Sequence, residues 1–182
     1  MKKSILLLAL SFTVGASFAQ KKMTTTSASI NFDATTSKDA LPKADNKTVV
    51  ASLDAKTGAV AFEAAVKSFT FSNPKIQEHF NSAGWMDSEK FPTATFKGTI
   101  TNVADVNFKK DGTYNAKVEG ELTMHGETKP VSTTAKIVVA GSTVTTTSDF
   151  TVALADYKVE GGAIAAGKVA TEPKISVVAE FK

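Results

Sequence analysis

The chain has 182 residues, with 21 lysines against 18 acidic residues, no arginine and no cysteine. Without arginine the forked guanidinium that grips phosphate is missing, so an anionic ligand would have to be held by lysine or by backbone amides. Without cysteine there is no disulfide framework and no lipoprotein anchor is expected, so the fold must rest on a hydrophobic core, which this length can build as one domain.

The first residues read as an export signal. "MKK" supplies positive charge, "SILLLALSFTVGASFA" is apolar but too short to span a bilayer, and Ser17 and Ala19 are the small residues a signal peptidase requires. Residues 1–19 are thus expected to be removed, leaving a single domain over 20–182 in the periplasm or outside the cell. After cleavage 19 lysines face 18 acids. Such a near-neutral chain has no general attraction for nucleic acid or an anionic membrane.

The remainder reads as β-structure almost throughout, in short alternating runs rich in Val, Ile, Thr and Phe. "ASINFDA" puts Ile30 and Phe32 on one face. The polar stretch "TSKDALPKADNK" reads as a loop before the strand "TVVASLD". "DAKTG" then turns into "AVAFEAAVKSF", where Val60, Phe62, Ala64 and Val66 share a face. "SNPKIQEHFNSAGW" breaks the alternation: Asn73 suits an N-cap, Pro74 the first helical position, and Ile76 and Phe80 lie one turn apart. A short helix near residues 73–83 is expected, with Gly84 near its end and its apolar face over the open end of the sheet.

"ATFKGTI" sets Phe96 and Ile100 against Lys97 and Thr99, and "KKDGTY" carries the Asp-Gly hairpin signal. Tyr114, Ala116, Val118, Gly120, Leu122 and Met124 then alternate with polar residues in the clearest half-buried strand of the chain. "HGETKP" reads as a turn that His125 begins, pointing outward, with Pro130 restarting the chain as "VSTTAKIVVAG". "STVTTTSDFTVALADY" and "KISVVAEFK" complete the set. About eight antiparallel strands is close to the number that closes into a small barrel able to hold one ligand.

A search for catalytic chemistry finds little. His79 and His125 are the two histidines, without HxH or HExxH spacing, so no metal site or other cofactor is expected. No GxSxG elbow, P-loop or GxGxxG occurs. The adjacent Glu78 and His79 would not face each other on a helix. What stands out is apolar: Phe69, Phe71, Phe80, Trp85, Phe91 and Phe96 crowd one region of the chain. They could form an ordinary core or line a hydrocarbon tunnel. Small residues at inward positions (Ala64, Ala116, Gly120 and Ala135) lean toward space inside.

Two blocks carry more than periodicity. "EHFNSAGWMDSEKFPTATFKG" and "VEGELTMHGETKPV" resemble, in order and separation, the two signatures of the YceI-like family. Lys90, Phe91, Pro92, Ala94, Thr95 and Phe96 match a "KYPxATF" pattern; Gly120, Leu122, Thr123, His125, Gly126, Thr128, Lys129, Pro130 and Val131 match the second block. The resemblance implies an extended, lipocalin-like antiparallel barrel, exported, non-enzymatic, often stress-linked, with a polyisoprenoid or similar long-chain lipid inside. It would place the ligand among Phe32, Phe62, Val66, Phe69, Phe71, Phe80, Trp85, Phe96, Ile100, Val118, Leu122 and Phe150. Two features of relatives are missing, an early histidine and an arginine before a late "DFG", which favours a neutral or weakly polar head over a diphosphate. The other reading is a stress-related interaction protein with a packed barrel, binding through "TSKDALPKADNK" and "KVEGGAIAAGKVATEP". A histidine-dependent hydrolase is the third. Oligomeric state is left open, a dimer included.

Overall fold

The computed structural model describes residues 22–182; the expected signal segment and its cleavage point lie outside the described residues. Eight long strands form one antiparallel sheet: β1 (Lys22–Asp33), β2 (Lys43–Asp54), β3 (Ala59–Ala65), β5 (Thr93–Ile100), β6 (Gly112–Met124), β7 (Glu127–Ala140), β8 (Thr143–Thr151) and β9 (Lys174–Phe181). Neighbours in sequence pair in turn, and β1 pairs with both β9 and β2, which closes the sheet into a barrel and leaves it no long free edge. A two-residue strand, β4 (Thr70–Phe71), pairs with the start of β2 and prolongs the line of β3 along it.

The ends of the barrel differ. At one end β2–β3 and β7–β8 are joined by tight turns at residues 55–58 and 141–142, and a connection over residues 101–111 lies beside them. At the other end residues 34–42, 66–92 and 152–173 make long excursions. The middle one contains helix α1 (Pro74–Asn81). As its sequence dictates, Asn73 caps it by accepting from the Lys75 amide at 2.9 Å, and Pro74 takes the first helical position. Phe80 is the residue that α1 buries; the last excursion adds a four-residue turn of helix, α2 (Gly162–Ala165).

Several expected boundaries shift, each for a local reason. β1 begins at Lys22, well before "ASINFDA", because its threonine-rich start pairs with the far half of β2. β2 begins at Lys43, inside the expected loop, and carries a bulge there: Ala28 faces Val49 while Ile30 faces Asn46. Asn46 is fully buried in this bulge, donating to the Ala65 carbonyl at 3.0 Å and accepting from the Thr48 amide and hydroxyl, each at 3.0 Å. The Asp-Gly pair does not make a tight hairpin. It ends the long β5–β6 connection, and the Asp111 carboxylate accepts from the Gly141 amide at 2.8 Å.

β8 stops at Thr151 although the alternation runs on. Leu154–Tyr157 wind into a 3₁₀ turn whose three-residue period buries Leu154 and Tyr157 together. Pro130 does not restart β7 but sits inside it, opposite Glu121. Pairing of β7 with β8 begins only at Ala135, so the missing proline N–H costs no bond on that side.

Candidate functional site

Inward positions of the eight strands enclose a void that runs from α1 toward the tight-turn end. The cavity measures about 160 Å³ and its lining is almost wholly apolar. Phe62, Phe96, Leu122 and Phe150 all face this void and none is fully buried, as side chains around an unfilled interior should be.

The lining has no ionisable side chain; its polar members are Thr95, Thr133, Thr146, Thr147 and Ser148. Three of these hydroxyls already have partners, Thr146 Oγ1 donating to the Ala179 carbonyl at 3.5 Å. Thr133 Oγ1 and Ser148 Oγ are 3.1 Å apart, and Ser148 donates to the Thr134 carbonyl at 2.8 Å. They bridge β7 and β8 beyond the last backbone pair at Ala135 and Ser148. Everything else that faces the space is carbon, apart from the Met86 and Met124 thioethers and the Trp85 indole nitrogen.

Of the residues the sequence nominates, Phe32, Phe62, Val66, Phe69, Phe80, Trp85, Phe96, Ile100, Val118, Leu122 and Phe150 lie on this wall. Phe71 does not. It lies in line with Phe32 across Ala44 but beyond the Phe80 ring, 4.9 Å between centroids, where it lines the second groove described below. Phe80 is the hub of an aromatic group that closes this end, with Phe32, Phe69 and Trp85 at 5.8 to 5.9 Å. Of the inward small residues, Ala64 and Ala135 border the void. Ala116 is packed away from it, and Gly120 is covered by the Phe96 ring. Missed at the sequence level are Ile30, Leu53, Ile137, Ile175, Val177 and Phe181 on β1, β2, β7 and β9, although their alternation was visible.

A second, wider groove lies outside the aromatic group, with about 530 Å³ open to water centres. Phe32, Phe80 and Trp85 belong to both the groove and the inner passage, so these three rings are the partition between them. The groove carries what the interior lacks: Asp39, His79 and Lys168.

His125 is a structural residue of the wall. It and Gly126 form the two-residue β6–β7 turn with φ of 50° and 78°, the left-handed pair that a tight hairpin demands. Its ring does not point out to solvent. Nδ1 donates to the Tyr157 carbonyl at 2.8 Å, and the Phe91 ring meets it edge-on at 5.0 Å. Beside it Lys158 pairs with Glu127 and holds that carboxyl below its usual range. Among the described residues no cluster of three or more His, Asp or Glu could hold a metal ion, and no helix is long and apolar enough to cross a membrane.

A closed antiparallel barrel of eight strands around an apolar passage, with a short helix at its mouth, is the lipocalin-like architecture. The YceI-like domain family model matches residues 10–181, and the chain belongs to that family. Sequence relatives include a UPF0312 protein of Vibrio cholerae, 36% identical over 75 residues, which are 41% of this chain and 36% of that protein. Protein YceI of Escherichia coli is 38% identical over 64 residues, 35% of this chain and 29% of that one. The aligned stretches thus span only about a third of those relatives. Among solved structures, a polyisoprenoid binding domain from Saccharophagus degradans, implicated in plant cell wall breakdown, superposes with a TM-score of 0.75 at 13% identity, covering 90% of this chain and 98% of that domain. Burkholderia cenocepacia BcnA gives 0.71 at 18% identity, covering 85% and 96%. At these identities the likeness is one of fold.

Proposed function

We propose that the protein is an exported, non-enzymatic carrier that sequesters one isoprenoid-type lipid, with its hydrocarbon tail in the barrel. The observation that carries this reading is the lining: a void inside the barrel, walled by residues of all eight strands, with no ionisable group on it. Removing a long tail from water gains roughly 25 cal/mol per Å² of apolar surface buried, without any directional contact. A fixed charge could not enter at comparable cost, because nothing inside would pair with it. The head therefore stays at the α1 end, beside the groove with Asp39, His79 and Lys168. A neutral or weakly polar head fits the absence of arginine.

The Saccharophagus domain, described as polyisoprenoid binding, supports the reading by its fold. Neither histidine lies on the passage, so the reading calls for no acid–base step. Trp85 is the sole tryptophan and borders the void, which makes it the reporter. Titrating delipidated protein with a long-chain prenol should change Trp85 fluorescence saturably at one equivalent. No saturable change would count against lipid binding. Export predicts that the chain from intact cells begins at Gln20 and leaves with the periplasmic or extracellular fraction.

A further inference from the structure

The passage has a floor, and the floor is made of side chains. At the tight-turn end the lining closes on Leu53, Ile100, Ile137 and Phe181, each exposed by 3% or less. Met23, Val106, Val139 and Val144 are buried as well but take no part in the lining. The lumen therefore stops within the barrel at this end.

The two ends also differ in how they could open. Leu53, Ile100, Ile137 and Phe181 sit within the ladders of β2, β5, β7 and β9, Phe181 paired with Val144 of β8 alone because the β1–β9 ladder ends at Val178. The opposite end is closed by Phe80, Trp85, Met86 and Leu154, which stand on long connections outside the strand ladders. Displacing a connection breaks few backbone bonds, whereas displacing a strand breaks a ladder. Ligand enters and leaves at the α1 end, and its tail tip advances toward Phe181.

We propose that this floor is a length ruler: Leu53 and Phe181 set the longest hydrocarbon chain that the barrel accepts in full. The inference rests on the lipid-carrier reading above. With one chain in the passage, each added isoprene unit moves the tip further along the axis. Once the tip meets packed side chains, further units must stay outside in water and gain nothing from burial. Leu53→Ala removes three carbons against the five of an isoprene unit, so it makes room for part of one more. Phe181→Ala removes six carbons and makes room for about one. Ala135→Leu, at a half-buried lining position, fills the passage instead and should shorten it.

The test offers delipidated wild-type protein and the three variants an equimolar ladder of prenols rising by one isoprene unit. The longest prenol retained is read by native mass spectrometry, and a thermal melt of each variant reports its folding. Leu53→Ala should shift retention toward the longer prenols, Phe181→Ala should extend the limit by about one unit, and Ala135→Leu should reduce it. The same limit in every folded variant overturns the ruler while leaving the carrier reading intact. A wild-type protein that retains no prenol of any length overturns both. If Phe181→Ala does not fold, Leu53→Ala and Ala135→Leu decide the matter by their opposite directions.

Discussion

The ring of Phe96 lies over Gly120 of the neighbouring strand: a Cβ built on Gly120 would stand 2.7 Å from Phe96 Cζ and 2.4 Å from the Lys97 carbonyl oxygen. Gly98 lies directly opposite Gly120 and is covered by the same ring. The pair lets β5 and β6 approach while an aromatic side chain supplies the missing apolar surface. Because the carbonyl cannot move without bending β5, Gly120→Ala should destabilise the protein by about 1–3 kcal/mol. A lowered midpoint in urea denaturation is the readout; an unchanged midpoint would show that the strands can part freely.

His125 acts through backbone geometry and one hydrogen bond, so its removal should cost stability and not lipid binding. His125→Ala loses the bond to the Tyr157 carbonyl and places alanine at a φ of 50°. A loss of about 1–2 kcal/mol is expected. His125→Asn should lose less, since asparagine tolerates the left-handed region. Trp85-monitored prenol titration should give the wild-type affinity for both variants. Loss of a ligand-processing activity on changing either histidine would instead favour the hydrolase reading.

Asn46 is the buried polar side chain that fixes the β2 bulge. Asn46→Leu leaves the Ala65 carbonyl and the Thr48 amide without their partner and should cost about 1–3 kcal/mol. A thermal melt tests it. A neutral outcome would mean that the strand shifts register and dispenses with the bulge.

These features separate what could be read in the residues from what could not. Phe62, Phe96, Leu122 and Phe150 alternate with polar neighbours, and a period of two fixes their side of the sheet. The helix announced itself through Asn73 and Pro74. Phe71 looks identical in sequence to Phe69, but the Phe80 ring of α1 stands between it and the inner void, a tertiary contact that nothing local announces. Val152 and Leu154 prolong the alternation of β8, so nothing local marks the 3₁₀ turn. The void was the least legible feature. Gly120 suggested space that Phe96 in fact fills, while the real space arises from the spacing of strands around a closed ring.

Acid should unfold the protein without weakening its grip on a neutral lipid. The Asp33 carboxyl is held below its ordinary value by Thr35, through its side chain and amide, and the Asp149 carboxyl by the Ser176 hydroxyl and then Lys174. The unfolded chain therefore takes up these protons at a higher pH than the folded one. Stability is fully present above the ordinary carboxylate range and is lost as pH falls through the lowered folded values. Thermal melts across that range should fall on acidification, less steeply in Asp149→Asn. Prenol affinity should stay flat wherever the protein is folded, because no ionisable side chain lines the passage. A titration in affinity would place an ionisable group on the ligand or beside it.

Lipid carriage by the barrel is tested most directly by native mass spectrometry of the full chain, expressed in its host and purified without detergent. The spectrum should show the processed chain with a single added mass, extractable into organic solvent and identified as an isoprenoid-type lipid. Bare protein that also fails to take up a long-chain prenol afterwards would contradict lipid carriage, whatever the shape of the interior.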